Sequence, residues 1–116
     1  MITEIVYLGR DNTIDLVLVA DGDVPSLASV TRMTLELEDG SVIDSLQDHG
    51  VFDWDQTISA AEAQKVTGAE AGDSKLVISL GQQTLAAGDH YAELVIYDAD
   101  HEHGITWGTI KLVVKD

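Results

Sequence analysis

The run Asp98-Ala-Asp100-His101-Glu102-His103-Gly104 carries the side chains best suited to holding a metal ion. Carboxylates and imidazoles together fit Zn²⁺ or another divalent cation. The spacing matches no defined motif. Asp98 and Asp100 are not followed by the remaining ligands of an EF-hand loop. His101 and His103 would point the same way on an extended chain, as any alternating pair does. The run therefore reads as a solvated hairpin tip. Asp98, Asp100, His101 and His103 are named as the metal candidates, with no bound metal expected.

A second set surrounds Trp54. Asp53 and Asp55 flank it, and Asp44 and Asp48 are near in sequence. Paired carboxylates beside an aromatic ring are the parts of a glycosidase or a sugar site. The favoured reading is a strand edge whose tryptophan packs on the core, the usual use of an aromatic side chain. His49 and His90 are isolated. No G-x-S-x-G, phosphate-cradling glycine loop or H-E-x-x-H occurs. The expectation is a non-enzymatic protein with no catalytic residue and no cofactor.

The elements that position these residues follow from a period of two, the strand period. Thr13–Ala20 puts Ile14, Leu16, Leu18 and Ala20 on one face, and Met33, Leu35 and Leu37 alternate with polar residues. Asp39-Gly40 then predicts a two-residue type I′ hairpin, with Ser41–Leu46 as the return strand. Asp21-Gly-Asp-Val-Pro25 reads as a turn. Lys75–Leu80 carries Leu76, Ile78 and Leu80, and two long strands with a hairpin between them end the sequence. One segment breaks the pattern. Ser59-Ala-Ala-Glu62 is a capping box, with Ile58 as a staple against Ala63. Ala60–Val66 favours helix and Gly68 can end it. These signals predict one domain, residues 1–116. It is all-β, an immunoglobulin-like antiparallel sandwich of about seven strands with one short helix near residues 59–67. A small barrel is the alternative.

Strand parity sharpens the last hairpin. If Lys111, Lys115 and Glu93 face water, then Ala92, Leu94, Ile96, Ile110, Leu112 and Val114 face the core. Tyr91, Val95, Tyr97, Ile105, Trp107 and Val113 then fall on the outer face, which should be polar in a one-sided sheet. Two readings follow. The helix, or a bulge at Gly104 or Gly108, covers or re-aims these side chains. Or Tyr97, Ile105 and Trp107 form a protein-docking face.

Charge excludes some partners. Six Lys and Arg stand against 21 Asp and Glu, for a net charge of −15. Nucleic acid and anionic membranes both need a basic footprint, so neither is expected as a partner. The acidity suits solubility, or adaptation to high salt. Cysteine is absent, which excludes disulfides and thiolate metal sites. Met1-Ile-Thr-Glu-Ile lacks a basic leader and no apolar run approaches the roughly 20 residues of a membrane helix. The expectation is a soluble protein made in the cytoplasm without a signal peptide.

Leu85-x-x-Gly88 followed by Tyr91, an alternating strand and Asp98 resembles the E–F corner and F strand of immunoglobulin-like domains, where a Tyr hydroxyl bonds back to the corner backbone. Here two residues separate Gly88 from Tyr91, where one is usual. The wider run from Tyr91 to Ile110 resembles small β-sandwich proteins encoded among tailed-phage and prophage virion genes. The N-terminal domains of baseplate upper proteins are an example. The resemblance covers residues 72–116. It implies a structural or assembly role through protein–protein contacts or self-association, in the tail, baseplate or head–tail region of a virion. A carbohydrate- or metal-binding module is the alternative.

Overall fold

Alternating apolar residues become strands wherever a neighbouring strand can take up the backbone hydrogen bonds. The computed structural model describes residues 2–19, 22, 24–48 and 50–116. Ala20 of the first alternating run, Asp21 and Asp23 of the expected turn, and His49 lie outside the described residues. The strands are β1 (Ile2–Tyr7), β2 (Thr13–Leu16), β3 (Val30–Leu37), β4 (Val42–Asp44), β5 (Phe52–Thr57), β6 (Ser74–Ser79), β7 (Gly88–Asp98) and β8 (His101–Lys115), with helix α1 (Ala60–Ala63) between β5 and β6.

Two sheets form, ordered β1-β8-β7-β3-β4 and β2-β6-β5. Their facing sides meet through Leu16, Leu76 and Ile78 from the smaller sheet and Met33, Leu35, Leu94, Ile110 and Leu112 from the larger, all buried. This interdigitation is the core of a β-sandwich. The order β8-β7-β3-β4 is that of strands G, F, C and C′ of an immunoglobulin-like domain, and β2-β6-β5 is that of B, E and D. The fold is therefore all-β and immunoglobulin-like, as the alternation predicts.

The larger sheet is mixed, which corrects the purely antiparallel expectation. β1 runs parallel to β8, from Ile2 opposite Ile110 to Tyr7 opposite Lys115, and raises the strand number to eight. Its polarity is scrambled. Glu4 sits on the same side as buried Val6, whereas Ile5 and Tyr7 are exposed. Partial burial and the nearby Asp15 push the Glu4 carboxyl above its ordinary range. An inward-facing charge of this kind blunts a sheet edge against unwanted pairing.

The β3–β4 hairpin also differs in detail from expectation. Its loop has three residues, because the Leu37 carbonyl accepts from the Gly40 N–H at 3.0 Å and the Ser41 carbonyl accepts from the Leu37 N–H at 2.9 Å. Gly40, at φ 90°, closes a type I turn with a bulge.

The capping box forms as written in the sequence. Ser59 Oγ accepts from the Glu62 N–H at 3.2 Å, and Glu62 Oε1 accepts from the Ser59 N–H at 3.1 Å. The α-helical part is only Ala60–Ala63, and tighter i+3 bonds from Lys65 and Val66 end it early. Lys75 Nζ lies 3.1 Å from Glu62 and 3.5 Å from Asp15, which ties α1 to the smaller sheet. Ser59→Ala removes the cap acceptor. It is expected to lower stability in a urea titration by about 0.5–2 kcal/mol without changing the β-dominated circular dichroism.

Candidate functional site

The β7–β8 ladder decides where the chemistry-bearing side chains go. It runs regularly from Gly88 opposite Val114 to Leu94 opposite Gly108, and this register buries Ala92, Leu94, Ile110, Leu112 and Val114. The next pair is Val95 with Thr106, so Trp107 is an extra residue in β8. A bulge of this kind reverses the facing of everything beyond it. Ile105 now pairs with Ile96, on the core side of the sheet, and Thr106 goes outward with Val95.

The outer-face expectation is therefore corrected for Ile105 and Trp107. Both line a cleft of about 200 Å³ together with Leu18, Leu27, Val30 and Ile96. Trp107 is half-buried against the core and Ile105 is 46% exposed. The cleft lies between the connection leading from β2 to β3 and the β7–β8 hairpin. Its far wall is fixed to the smaller sheet, because the Leu27 N–H donates to Ser74 Oγ at 3.2 Å. Tyr91, Val95, Tyr97 and Val113 keep the outward parity.

Tyr97 is thus separated from the other two proposed interface residues. Its ring lies under the Arg32 guanidinium, 4.6 Å from carbon to centroid. Arg32 is held by a bidentate pair with Asp44, with Nε donating to Oδ1 at 3.0 Å and Nη2 donating to Oδ2. That bond, with the Leu46 N–H, keeps the Asp44 carboxyl below its ordinary range. On the other side Tyr97 meets Gly104. Between the Ile96–Ile105 and Asp98–His101 pairs, Glu102, His103 and Gly104 stand opposite Tyr97 alone. Gly104 has φ 82°, and a Cβ there would sit 2.5 Å from Val95 Cγ1 and 2.8 Å from Tyr97 Cε2.

The metal candidates at the hairpin tip are arranged as a turn. Asp98 Oδ1 accepts from the Asp100 N–H at 3.0 Å and lies 2.9 Å from His101 Nδ1. His103 is 96% exposed, 3.6 Å from Glu102. Among the described residues no three His, Asp or Glu side chains are grouped to hold a metal ion. The His101 contact is the main cause that lowers the Asp98 carboxyl below its ordinary range. The carboxylates near Trp54 do not converge. Asp44 is committed to Arg32, whereas Asp53 accepts from the Asp55 N–H and from Gln56 Nε2, both at 3.0 Å. Trp54 packs half-buried on the core.

His90 has a role that isolated-residue reasoning missed. One residue separates it from Gly88, the spacing of the tyrosine corner. Its Nε2 lies 2.7 Å from the Ala86 carbonyl oxygen, and its Nδ1 lies 3.6 Å from Glu38 Oε1. Ala92, two residues on, is fully buried. His90 makes the bond back to the corner that a tyrosine would make. Tyr91 instead presents an exposed ring over which Lys111 lies at 6.0 Å. The usable signal was the spacing from Gly88 rather than the identity of the aromatic residue.

No model of a known protein family matches this chain, and no curated protein sequence does.

Two outcomes are expected. Gly104→Ala forces a side chain onto left-handed backbone and against Tyr97, and should cost about 1–3 kcal/mol in chemical denaturation. The Asp44 carboxyl is lowered by folding, so its contribution is present above the unfolded value and lost as pH falls through the folded one. The stability difference between wild type and Asp44→Asn should therefore be constant above about pH 5 and shrink below about pH 4.

Proposed function

We propose that this domain is non-enzymatic and serves a structural or assembly role through protein–protein contacts, docking at the cleft between the β2–β3 connection and the β7–β8 hairpin. The observation that carries the reading is Ile105. A branched apolar side chain stands 46% exposed beside a half-buried tryptophan, in a cleft lined by Leu18, Leu27, Val30 and Ile96. Half-buried aromatics with an exposed apolar neighbour are what interface centres are made from. In the immunoglobulin-like frame this is the end that bears the B–C and F–G loops, the end used for recognition in variable domains. The assignment to a phage or prophage particle rests on the resemblance of residues 72–116 and goes with this reading.

Ile105 separates docking from folding better than Trp107 does. Trp107→Ala also removes core packing, and should cost up to about 3 kcal/mol of folding free energy. Ile105→Ser should leave monomer stability within about 0.5 kcal/mol, as for other surface substitutions. It should also weaken self-association or binding to the products of neighbouring genes, read by sedimentation velocity. Flanking capsid, tail or terminase genes are expected. Unchanged association by Ile105→Ser would remove the cleft from the interface.

A further inference from the structure

The cleft has a size and an electrical asymmetry that together specify what enters it. At about 200 Å³ it is smaller than the roughly 300–1,000 Å³ typical of small-molecule sites, and its volume suits one side chain. Its lining is apolar but for two serines and one charged group, Asp98. The Asp100 N–H and His101 Nδ1 both contact Oδ1, and the His101 backbone N–H adds to the groups that lower this carboxyl. Among the described residues Oδ2 accepts no hydrogen bond, and the side chain is 26% exposed.

The neighbourhood offers no fixed cation to answer it. Residues 17–29 and 98–107 contain no Lys or Arg, and the hairpin adds Asp100 and Glu102. The nearby imidazoles are His101, already on Oδ1, and His103, beside Glu102. Elsewhere Arg32 is committed to Asp44, Lys75 to Glu62 and Asp15, and Lys111 to Asp89. A second copy of this chain would bring another net charge of −15 to the same place. Like charges at close range oppose such contacts, whereas an opposite charge gains from them.

We infer that the cleft takes one aliphatic or aromatic side chain from a polypeptide segment that carries Lys or Arg beside it, with the cationic head group on Asp98 Oδ2. The inference rests on the docking reading above and specifies the partner's chemistry.

Short capped peptides test it. One has a central leucine flanked by lysines, the second a central leucine flanked by glutamates, and the third a central glycine flanked by lysines. Binding is read from the Trp107 indole N–H and the Ile105 methyl signals in NMR titrations, with the indole of Trp54, the other of the two tryptophans, as internal reference. The leucine–lysine peptide should move both cleft signals and leave Trp54 in place, with affinity falling as salt rises. The other two should leave the cleft signals unmoved. Asp98→Asn, checked for folding by its own spectrum, should weaken the leucine–lysine peptide about two- to fivefold, the worth of an exposed ion pair. Equal binding of the glutamate-flanked peptide would overturn the cationic partner and leave the docking reading standing. Cleft signals that no peptide moves would overturn both. Cleft signals that shift with protein concentration alone would assign the cleft to a second copy, and would overturn the cationic segment.

Discussion

Everything at the β7–β8 hairpin end of this molecule depends on β8 being hydrogen-bonded to two strands at once. On one side it ladders in parallel with β1, from Ile110 to Lys115, and on the other antiparallel with β7, from Val114 to Gly108. The side-chain period of a strand is two, so this double pairing leaves no freedom of register. Ile110, Leu112 and Val114 must face the core. The strand then runs on for the rest of its 15 residues without β1 beside it. There the register slips, first at Trp107 and again before Asp98. The first slip turns Ile105 to the core side, and the second places Gly104 against Tyr97. The cleft and the Gly104–Tyr97 contact are thus two consequences of extra residues in one strand.

The acid excess has a structural counterpart. Three of the scarce cations bridge separate elements: Arg32 joins β3 to β4, Lys75 joins β6 to α1 and β2, and Lys111 joins β8 to β7. Surface ion pairs are worth about 0–1 kcal/mol each, and these are only partly buried, so they do not set the stability alone. Their effect is on where positive charge is absent. Glu36 and Glu93 stand directly opposite each other on the outer face of β3 and β7, an arrangement that costs a few tenths of a kcal/mol up to about 1. The hairpin end is likewise left acidic.

How much of this was legible varies by element for physical reasons. Met33, Leu35 and Leu37, or Leu76, Ile78 and Leu80, alternate cleanly because one face meets core and the other water, and those strands were readable. β1 was not. Its inward face carries Glu4 and its outward face Ile5 and Tyr7, and its partner lies more than 100 residues away in sequence. The capping box located α1 but not its end, since tight i+3 bonds rather than Gly68 stop the α-helix. Of the candidate site, Ile105 and Trp107 were visible as misplaced apolar residues. Gly104 and Gly108 on either side of them marked a possible bulge. Parity alone could not decide which way they turned. Leu18, Leu27 and Val30 were invisible as site residues, because only the tertiary fold brings them to the hairpin.

The cleft exists because the two sheets differ in length. β7 has 11 residues and β8 has 15, whereas β2, β6 and β5 have 4, 6 and 6. The larger sheet overhangs the smaller, and Ile96, Ile105 and Trp107 sit on the overhang. A loop must replace the missing strand there, and the β2–β3 connection does so with Leu18 and Leu27, both buried. Leu27 is held from both directions, donating its N–H to Ser74 Oγ and accepting from the Val30 N–H at 3.1 Å. One wall is thus anchored to β6 and the other is set by the bulge at Trp107. A gap with one wall held through the Ser74 hydroxyl and the other by strand pairing is preformed. A side chain entering as proposed would order little that is not already ordered, and more of its burial would be retained as affinity. The same two anchors keep the overhang from collapsing onto Ile105, which is why an apolar side chain remains open to solvent in so acidic a molecule.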